Sequence, residues 1–108
     1  MLNPYLAHLI GDYLLQNDWM AKGKKQKSWI CIIHILTYLL PFLFCNLLWW
    51  KIVVIGLQHF VQDRTNIVVW SMQKVGKVTF ASPPMAPWSI IVIDNIWHVL
   101  FIAFIVSL

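Results

Sequence analysis

The sequence predicts an all-α fold: a small integral membrane protein built as a bundle of four transmembrane helices. The 108 residues are 60% hydrophobic and only 11% charged, whereas soluble domains carry about 25% charged residues. The apolar residues also gather into four runs, each close to the ~20 residues that a helix needs to cross a bilayer. We therefore expect one membrane-embedded helical domain over residues 1–108.

The first two predicted spans flank a lysine-rich turn. The first, residues 4–21, begins at Pro4, because proline suits the first turn of a helix. It is the most polar of the four, so three spans plus one buried helix is an alternative arrangement. The second span covers residues 28–48, and Pro41 should kink it because proline removes a backbone hydrogen bond.

The other two spans occupy the second half of the chain. A tight turn at residues 49–51 is expected to lead into the third span, residues 52–72. A looser segment that contains several prolines then precedes the fourth span, residues 89–108. The connections are short enough for an up-and-down bundle.

The distribution of lysine predicts the orientation in the membrane. Six of the seven lysines fall in the first and third loops, and basic residues accumulate in cytoplasmic loops. Both loops should therefore be cytoplasmic and both termini non-cytoplasmic. The same rule explains the net charge of +4 without nucleic acid, so we expect membrane lipid as the partner, with a homo-oligomer or a membrane protein partner also open.

Ionisable residues inside the apolar runs define the candidate site. All four acidic residues are aspartates, and they lie, with the four histidines, within the predicted spans. Such side chains cost free energy in hydrocarbon and usually mark an ion site or a polar pathway. Three His/Asp pairs have the four-residue spacing that places both side chains on one helix face. The pairs are His8 with Asp12, His59 with Asp63, and Asp94 with His98.

Depth along the helices predicts that the three pairs form one site. Counting ~1.5 Å per residue from the cytoplasmic end of each span places all three pairs in one layer, roughly half-way through the bilayer core. The second span contributes His34 to the same layer. Because facing helices of a bundle commonly build metal sites in this way, we expect the side chains to meet.

The ligand types predict a divalent metal ion. Imidazole and carboxylate groups suit zinc, which we expect first, and also manganese or iron. Asp12 is predicted to accept a proton from metal-activated water. A proton or ion pathway and a structural His–Asp network are the two other interpretations. The predicted metal ligands are His8, His34, His59, Asp63, Asp94 and His98.

Three further polar residues are predicted to support the site or the membrane interface. Gln16 follows Asp12 by one turn and is placed to orient it. Asp18 lies four residues before Lys22, a spacing that favours an interfacial ion pair. Arg64 could contact an anionic substrate, although extension of its side chain to the interface explains it equally well.

Four motifs in a fixed order identify a family resemblance. They are H-L-I-G-D-Y-L-L-Q-N-D-W-M-A at residues 8–21, the lone His34, H-F-V-Q-D-R at residues 59–64 and D-N-I-W-H at residues 94–98. Across essentially the whole chain this arrangement resembles domain of unknown function 3307, a family of small bacterial and phage membrane proteins. The resemblance implies that these polar residues are characteristic positions and that the membrane is a bacterial inner membrane; it implies no activity.

Two departures from the family pattern concern the substrate side of the site. Asn95 stands where the resemblance leads us to expect glutamine, and we include it among the candidate substrate-binding or supporting residues. Thr65 and Asn66 follow Arg64, where the family pattern leads us to expect a hydrophobic residue and then a lysine.

Together these features predict a metal-dependent hydrolase whose site opens to the cytoplasmic leaflet and acts on a phospholipid or a prenyl phosphate. An ion or proton transporter using the same residues is one alternative, and a phage-type modulator of a host membrane protein is another. The outer halves of the spans are almost wholly apolar. This asymmetry favours the enzyme, because a transporter needs a polar path on both sides.

Overall fold

The computed structural model describes residues 1–108 and contains helices and turns but no strand, which confirms the predicted all-α class. The helices are α1 (Pro4–Leu9), α2 (Asp18–Gly23), α3 (Ser28–Leu39), α4 (Trp49–Arg64), α5 (Ile67–Lys74) and α6 (Trp88–Val106). A π-helical turn, Ile10–Leu14, extends α1, and a 3-10 turn, Leu40–Phe44, extends α3.

The first predicted span is broken, so the expectation of one helix over residues 4–21 was wrong. After the π-helical turn the chain leaves helical geometry at residues 15–17. The Asn17 side chain then accepts a hydrogen bond from the backbone N–H of Met20 at 2.9 Å and caps α2. Asparagine favours such caps over a helix interior because its side chain competes for backbone donors.

The third predicted span is also divided, between α4 and α5 at residues 65–66. Thr65 there donates its hydroxyl to the Val61 carbonyl at 2.6 Å. The turn expected at residues 49–51 was misplaced, because those residues begin α4 and the chain reverses at 45–48. Pro41 does change the second helix as expected, since α3 gives way to the 3-10 turn around it.

The helices run up and down between two ends of a bundle. At one end the Leu2 N–H donates to the Phe44 carbonyl at 3.0 Å, joining the N-terminal segment to the second loop. At the other end Lys25 Nζ donates to the carbonyls of Asp63 and Thr65, each at 3.0 Å, joining the first loop to the end of α4. Helix α6 packs against α1, α4 and α5, and α3 packs against α2 and α4.

Close contact between the π-helical turn and α3 sets the position of Asp12. A Cβ at Gly11 would lie 2.7 Å from the Tyr38 carbonyl oxygen and 2.8 Å from Tyr38 Cδ1. Because no larger residue fits without moving the backbone, glycine lets the two elements touch. The touching segments carry Asp12 on one side and His34 on the other.

The bundle buries a group of polar side chains beside its apolar core and exposes many large apolar ones. Large apolar side chains face outward on every helix, with Leu14 77% exposed, Leu57 63% exposed and Leu100 59% exposed. Helix α6 is long and apolar enough to cross a membrane, and it alone meets both criteria; Ser28–Phe44 is apolar but shorter. The buried polar residues are His8, Asp12, His34, His59, Gln62, Asp63, Ser89 and His98.

Candidate metal centre

Four buried side chains from three elements converge on one point. Asp12 comes from the π-helical turn, His34 from α3, and His59 and Asp63 from successive turns of α4. One ligand atom from each residue lies within 4.8 Å of the others. The convergence that the four-residue spacing predicted is therefore present for these four residues.

Five of the six separations among these atoms lie close to those of a tetrahedral ligand set. His34 Nε2 lies 3.1 Å from both His59 Nε2 and Asp63 Oδ2, and His59 Nε2 lies 2.9 Å from Asp63 Oδ2. Asp12 Oδ1 lies 3.3 Å from His34 Nε2 and 3.5 Å from His59 Nε2. Ligands about 2.0–2.1 Å from a tetrahedral zinc ion are roughly 3.3 Å apart. A single ion would thus fit between the four atoms.

Hydrogen bonding by itself leaves this cluster unsatisfied. An imidazole nitrogen carries at most one proton, so the Nε2 atoms of His34 and His59 supply at most two donors to five short contacts. Asp12 Oδ1 is buried without a hydrogen-bond partner. Because buried polar atoms are normally paired, the unpaired oxygen supports a cation as the missing partner.

A second group of ligand atoms adjoins the first. It consists of Asp12 again, with Asp94 and His98 from α6. His98 Nε2 lies 3.5 Å from Asp94 Oδ2 and 3.3 Å from Asp63 Oδ1. The two four-residue pairs on α4 and α6 therefore face each other across the bundle.

His8 lies outside both groups, although it was a predicted ligand. Its Nδ1 is 2.9 Å from the Tyr38 hydroxyl and its Nε2 is 2.6 Å from Asn95 Oδ1. The physical reason is the π-helical turn, whose wider coil removes the stacking of residues 8 and 12 that an α-helix would give. Asn95 thus supports His8, and neither residue touches the ligand atoms of the first group.

Aromatic stacking orients the imidazole rings. The Tyr38 ring stacks on His59 with centroids 3.7 Å apart, and His59 stacks on His98 at 3.9 Å. The Nδ1 atoms of His34, His59 and His98 are buried without hydrogen-bond partners, so stacking takes the place of the hydrogen bonds that often hold metal-bound histidines. Sequence reasoning missed Tyr38, although its position one turn after His34 was a usable signal.

Gln62 and Lys24 are two further site residues that the sequence analysis missed. Gln62 Nε2 donates to both the side-chain Oδ1 and the carbonyl of Asp94 at 2.8 Å. The available sequence signal was a polar glutamine inside an apolar run, next to Asp63. Lys24 was counted only as a topology signal, yet its Nζ donates to Asp63 Oδ2 at 3.0 Å. The site therefore lies within one lysine length of the first loop.

The Asp63 carboxylate stabilises the positive charge of Lys24. Burial lowers the pKa of the Lys24 ammonium, but the Asp63 carboxylate more than offsets this, and the pKa lies above its ordinary value. Lys24 therefore stays protonated and offsets part of the negative charge of the aspartates.

Three other predicted residues do not reach the ligand atoms. Gln16 makes no hydrogen bond to Asp12, and its Oε1 is buried without a partner, because residues 15–17 leave the helix. Asp18 is exposed in the first turn of α2 and forms no ion pair with Lys22. Arg64 Nη1 and Nε donate to the Lys25 carbonyl at 2.6 Å and to Ser28 Oγ at 3.1 Å, so it ties the first loop to α4.

Comparison with known proteins identifies a family but no activity. Residues 2–108 match the family model described as protein of unknown function (DUF3307). No curated protein and no solved structure gives a significant match. The match confirms the resemblance drawn from the four motifs, and the chain belongs to the DUF3307 family.

Proposed function

We propose that this protein is a membrane-embedded, metal-dependent hydrolase that acts on a lipid or a lipid-linked phosphate. The observation that carries the proposal is the tetrahedral set of two imidazoles and two carboxylates buried inside a bundle with an apolar surface. Such a donor set suits zinc, with manganese or iron as alternatives.

Embedding in the bilayer is supported by the inverted distribution of polarity. Many large apolar side chains are exposed while four histidines and two aspartates are buried, and soluble proteins rarely bury so many ionisable groups. In our proposal the broken segments α1–α2 and α4–α5 cross the bilayer beside α3 and α6. Broken helices are tolerated at membrane depth where they are buried in protein or line a polar cavity.

The proposed orientation places the first and third loops in the cytoplasm of a bacterium, with the protein in the inner membrane. Single cysteines introduced at Gln26 and Lys77 should react with a membrane-impermeant thiol reagent only in inverted vesicles. A cysteine introduced at Leu108 should react only from the opposite side. The native Cys31 and Cys45 are buried and give the background labelling. Labelling of position 108 from the cytoplasm would contradict the orientation.

Within the site we assign binding to His34, His59 and Asp63 and proton transfer to Asp12. A divalent ion there would polarise a phosphoryl oxygen and acidify a water. Asp12 Oδ1 makes the two longest contacts of the set, at 3.3 and 3.5 Å, so we assign it to a position beside the ion and not to a ligand. Since that oxygen has no hydrogen-bond donor, it would be free to accept a proton from a water bound to the ion.

A groove beside the site supports a lipid substrate. It has a volume of about 460 Å³ and lies between α4, α5 and α6. Gln62 lines the groove and also hydrogen-bonds Asp94, so a chain lying in the groove would bring its polar end to the ligands. The apolar part of the lining includes Val61, Val68, Trp70, Trp97 and Phe101.

The opposite end of the bundle argues against a transport pathway. An apolar cluster that includes Tyr38, Phe42, Ile55 and Ile102 fills the interior on the side of the N-terminal segment and the second loop. The polar layer is joined to the first loop by Lys24, and the apolar cluster separates it from the other end. One-sided access suits hydrolysis rather than transport.

Reconstitution into vesicles tests the proposed function directly. Vesicles containing phosphatidic acid or a polyprenyl phosphate should release inorganic phosphate when zinc or manganese is added, and a chelator should stop the release. The same vesicles should show no proton or divalent-ion flux. Flux without hydrolysis would replace the hydrolase with a transporter. If the vesicles show neither hydrolysis nor flux, and the protein binds a host membrane protein, the result would favour a phage-type modulator.

A further inference from the structure

The site contains more ligands than one ion can use. Beyond the four donors of the first group, Asp94 and His98 supply a carboxylate and an imidazole directly beside it. We propose that these two residues, with one oxygen of Asp63, bind a second divalent ion, and that the pair of ions recognises a phosphate monoester. This inference rests on the first ion of the proposed function.

Asp63 is placed to bridge the two ions. Its Oδ2 faces His59 Nε2 at 2.9 Å and His34 Nε2 at 3.1 Å, while its Oδ1 faces His98 Nε2 at 3.3 Å. Each oxygen of one carboxylate thus belongs to a different set of imidazoles. Two-metal sites hold their ions about 3.5–4 Å apart. A carboxylate can bridge ions at this separation when each ion binds one of its oxygens.

The two contacts of His98 within the second set have lengths like those of the first. His98 Nε2 lies 3.3 Å from Asp63 Oδ1 and 3.5 Å from Asp94 Oδ2, again near the roughly 3.3 Å expected around a tetrahedral ion. Gln62 fixes the orientation of Asp94 through two hydrogen bonds at 2.8 Å. The Asp94 side chain is 21% exposed, which leaves part of its surface open to a substrate oxygen.

Asp12 belongs to both groups, and this position matches its proposed role. Its ligand atoms lie within 4.8 Å of His34 and His59 in one group and of Asp94 and His98 in the other. Asp12 is 5% exposed, and its Oδ1 is unpaired. Asp12 thus lies beside both proposed ion positions, where it could accept a proton from a water bound at either.

The charge of the site favours two ions when the substrate is a phosphate monoester. Three carboxylates and the Lys24 ammonium carry a net charge of two negative units when the histidines are neutral. One divalent ion would neutralise this charge, so the site as a whole would carry no net positive charge to attract an anion. A second ion would leave two positive units, which match the dianion of a phosphate monoester.

Counting bound ions tests the second site independently of catalysis. Wild-type protein loaded with Mn²⁺ and freed of excess metal should contain two ions per chain and show an exchange-coupled electron paramagnetic resonance spectrum. Asp94→Asn should retain one ion with an uncoupled spectrum, and retention of that ion shows that the variant is folded. Asp18→Asn, which changes an exposed aspartate away from the ligands, should retain two coupled ions.

The possible results separate this inference from the proposed function. One uncoupled ion in the wild type would overturn the second site and leave the proposed hydrolase intact. No bound ion in the wild type would overturn both. If Asp94→Asn lost both ions, or neither, Asp94 would not hold a separate ion and the assignment would fail.

Discussion

Replacing Asp12 with asparagine is expected to abolish hydrolysis while the first metal ion stays bound. Asparagine has nearly the same shape as aspartate but cannot accept a proton at neutral pH. His34, His59 and Asp63, which we assign as ligands, remain unchanged in this variant. Loss of a positioned general base typically slows a reaction by about 10²–10⁴-fold, and we expect a decrease of this size in phosphate release from lipid vesicles.

The matched control for this variant is Asp18→Asn, which makes the same chemical change at an exposed position in α2. It should keep both the metal content and the rate of the wild type. Metal content measured on the same preparations decides how Asp12→Asn is interpreted. A variant that retains metal and full activity would exclude Asp12 as the base, and a variant without metal would show that Asp12 is a required ligand.

Removing either member of the α4 pair is expected to abolish binding of the first metal ion. His59 and Asp63 are 99–100% buried and each contacts several other ligand atoms. Because the ligands of one ion act as a unit, His59→Ala and Asp63→Ala should each lose the first ion, and Asp63→Ala, which also removes an oxygen assigned to the second ion, should lower the metal content to near zero. The double variant should lose little more than Asp63→Ala, since contacting residues are not additive.

His8→Ala is the matched histidine control for this series. His8 is equally buried, but its two ring nitrogens form hydrogen bonds with Tyr38 and Asn95. It should therefore keep its metal even if the free energy of unfolding decreases. Elemental analysis of chelator-free preparations and thermal unfolding give the two readouts. A metal-free wild type in which the substitutions cause additive losses of stability would instead support a hydrogen-bonded His–Asp network.

The sequence by itself determined the all-α class, the family and most of the residues that converge. Composition and hydrophobic runs indicate helices because a long apolar segment has few other ways to satisfy its backbone. Four-residue spacing identifies side chains on one helix face, and the His59–Asp63 and Asp94–His98 pairs do meet at the centre. These properties are local, so they can be derived from residue order.

Only the tertiary structure decided which faces meet and where the helices break. The cap at Asn17 depends on one side-chain hydrogen bond and the π-helical turn before it on a few backbone hydrogen bonds, and hydrophobicity reveals neither. That turn directs His8 toward Tyr38 and Asn95, away from the ligands. Lys24 and Gln62 reach Asp63 and Asp94 from distant positions in the chain, and such contacts follow from packing between helices, which spacing within a single helix does not specify.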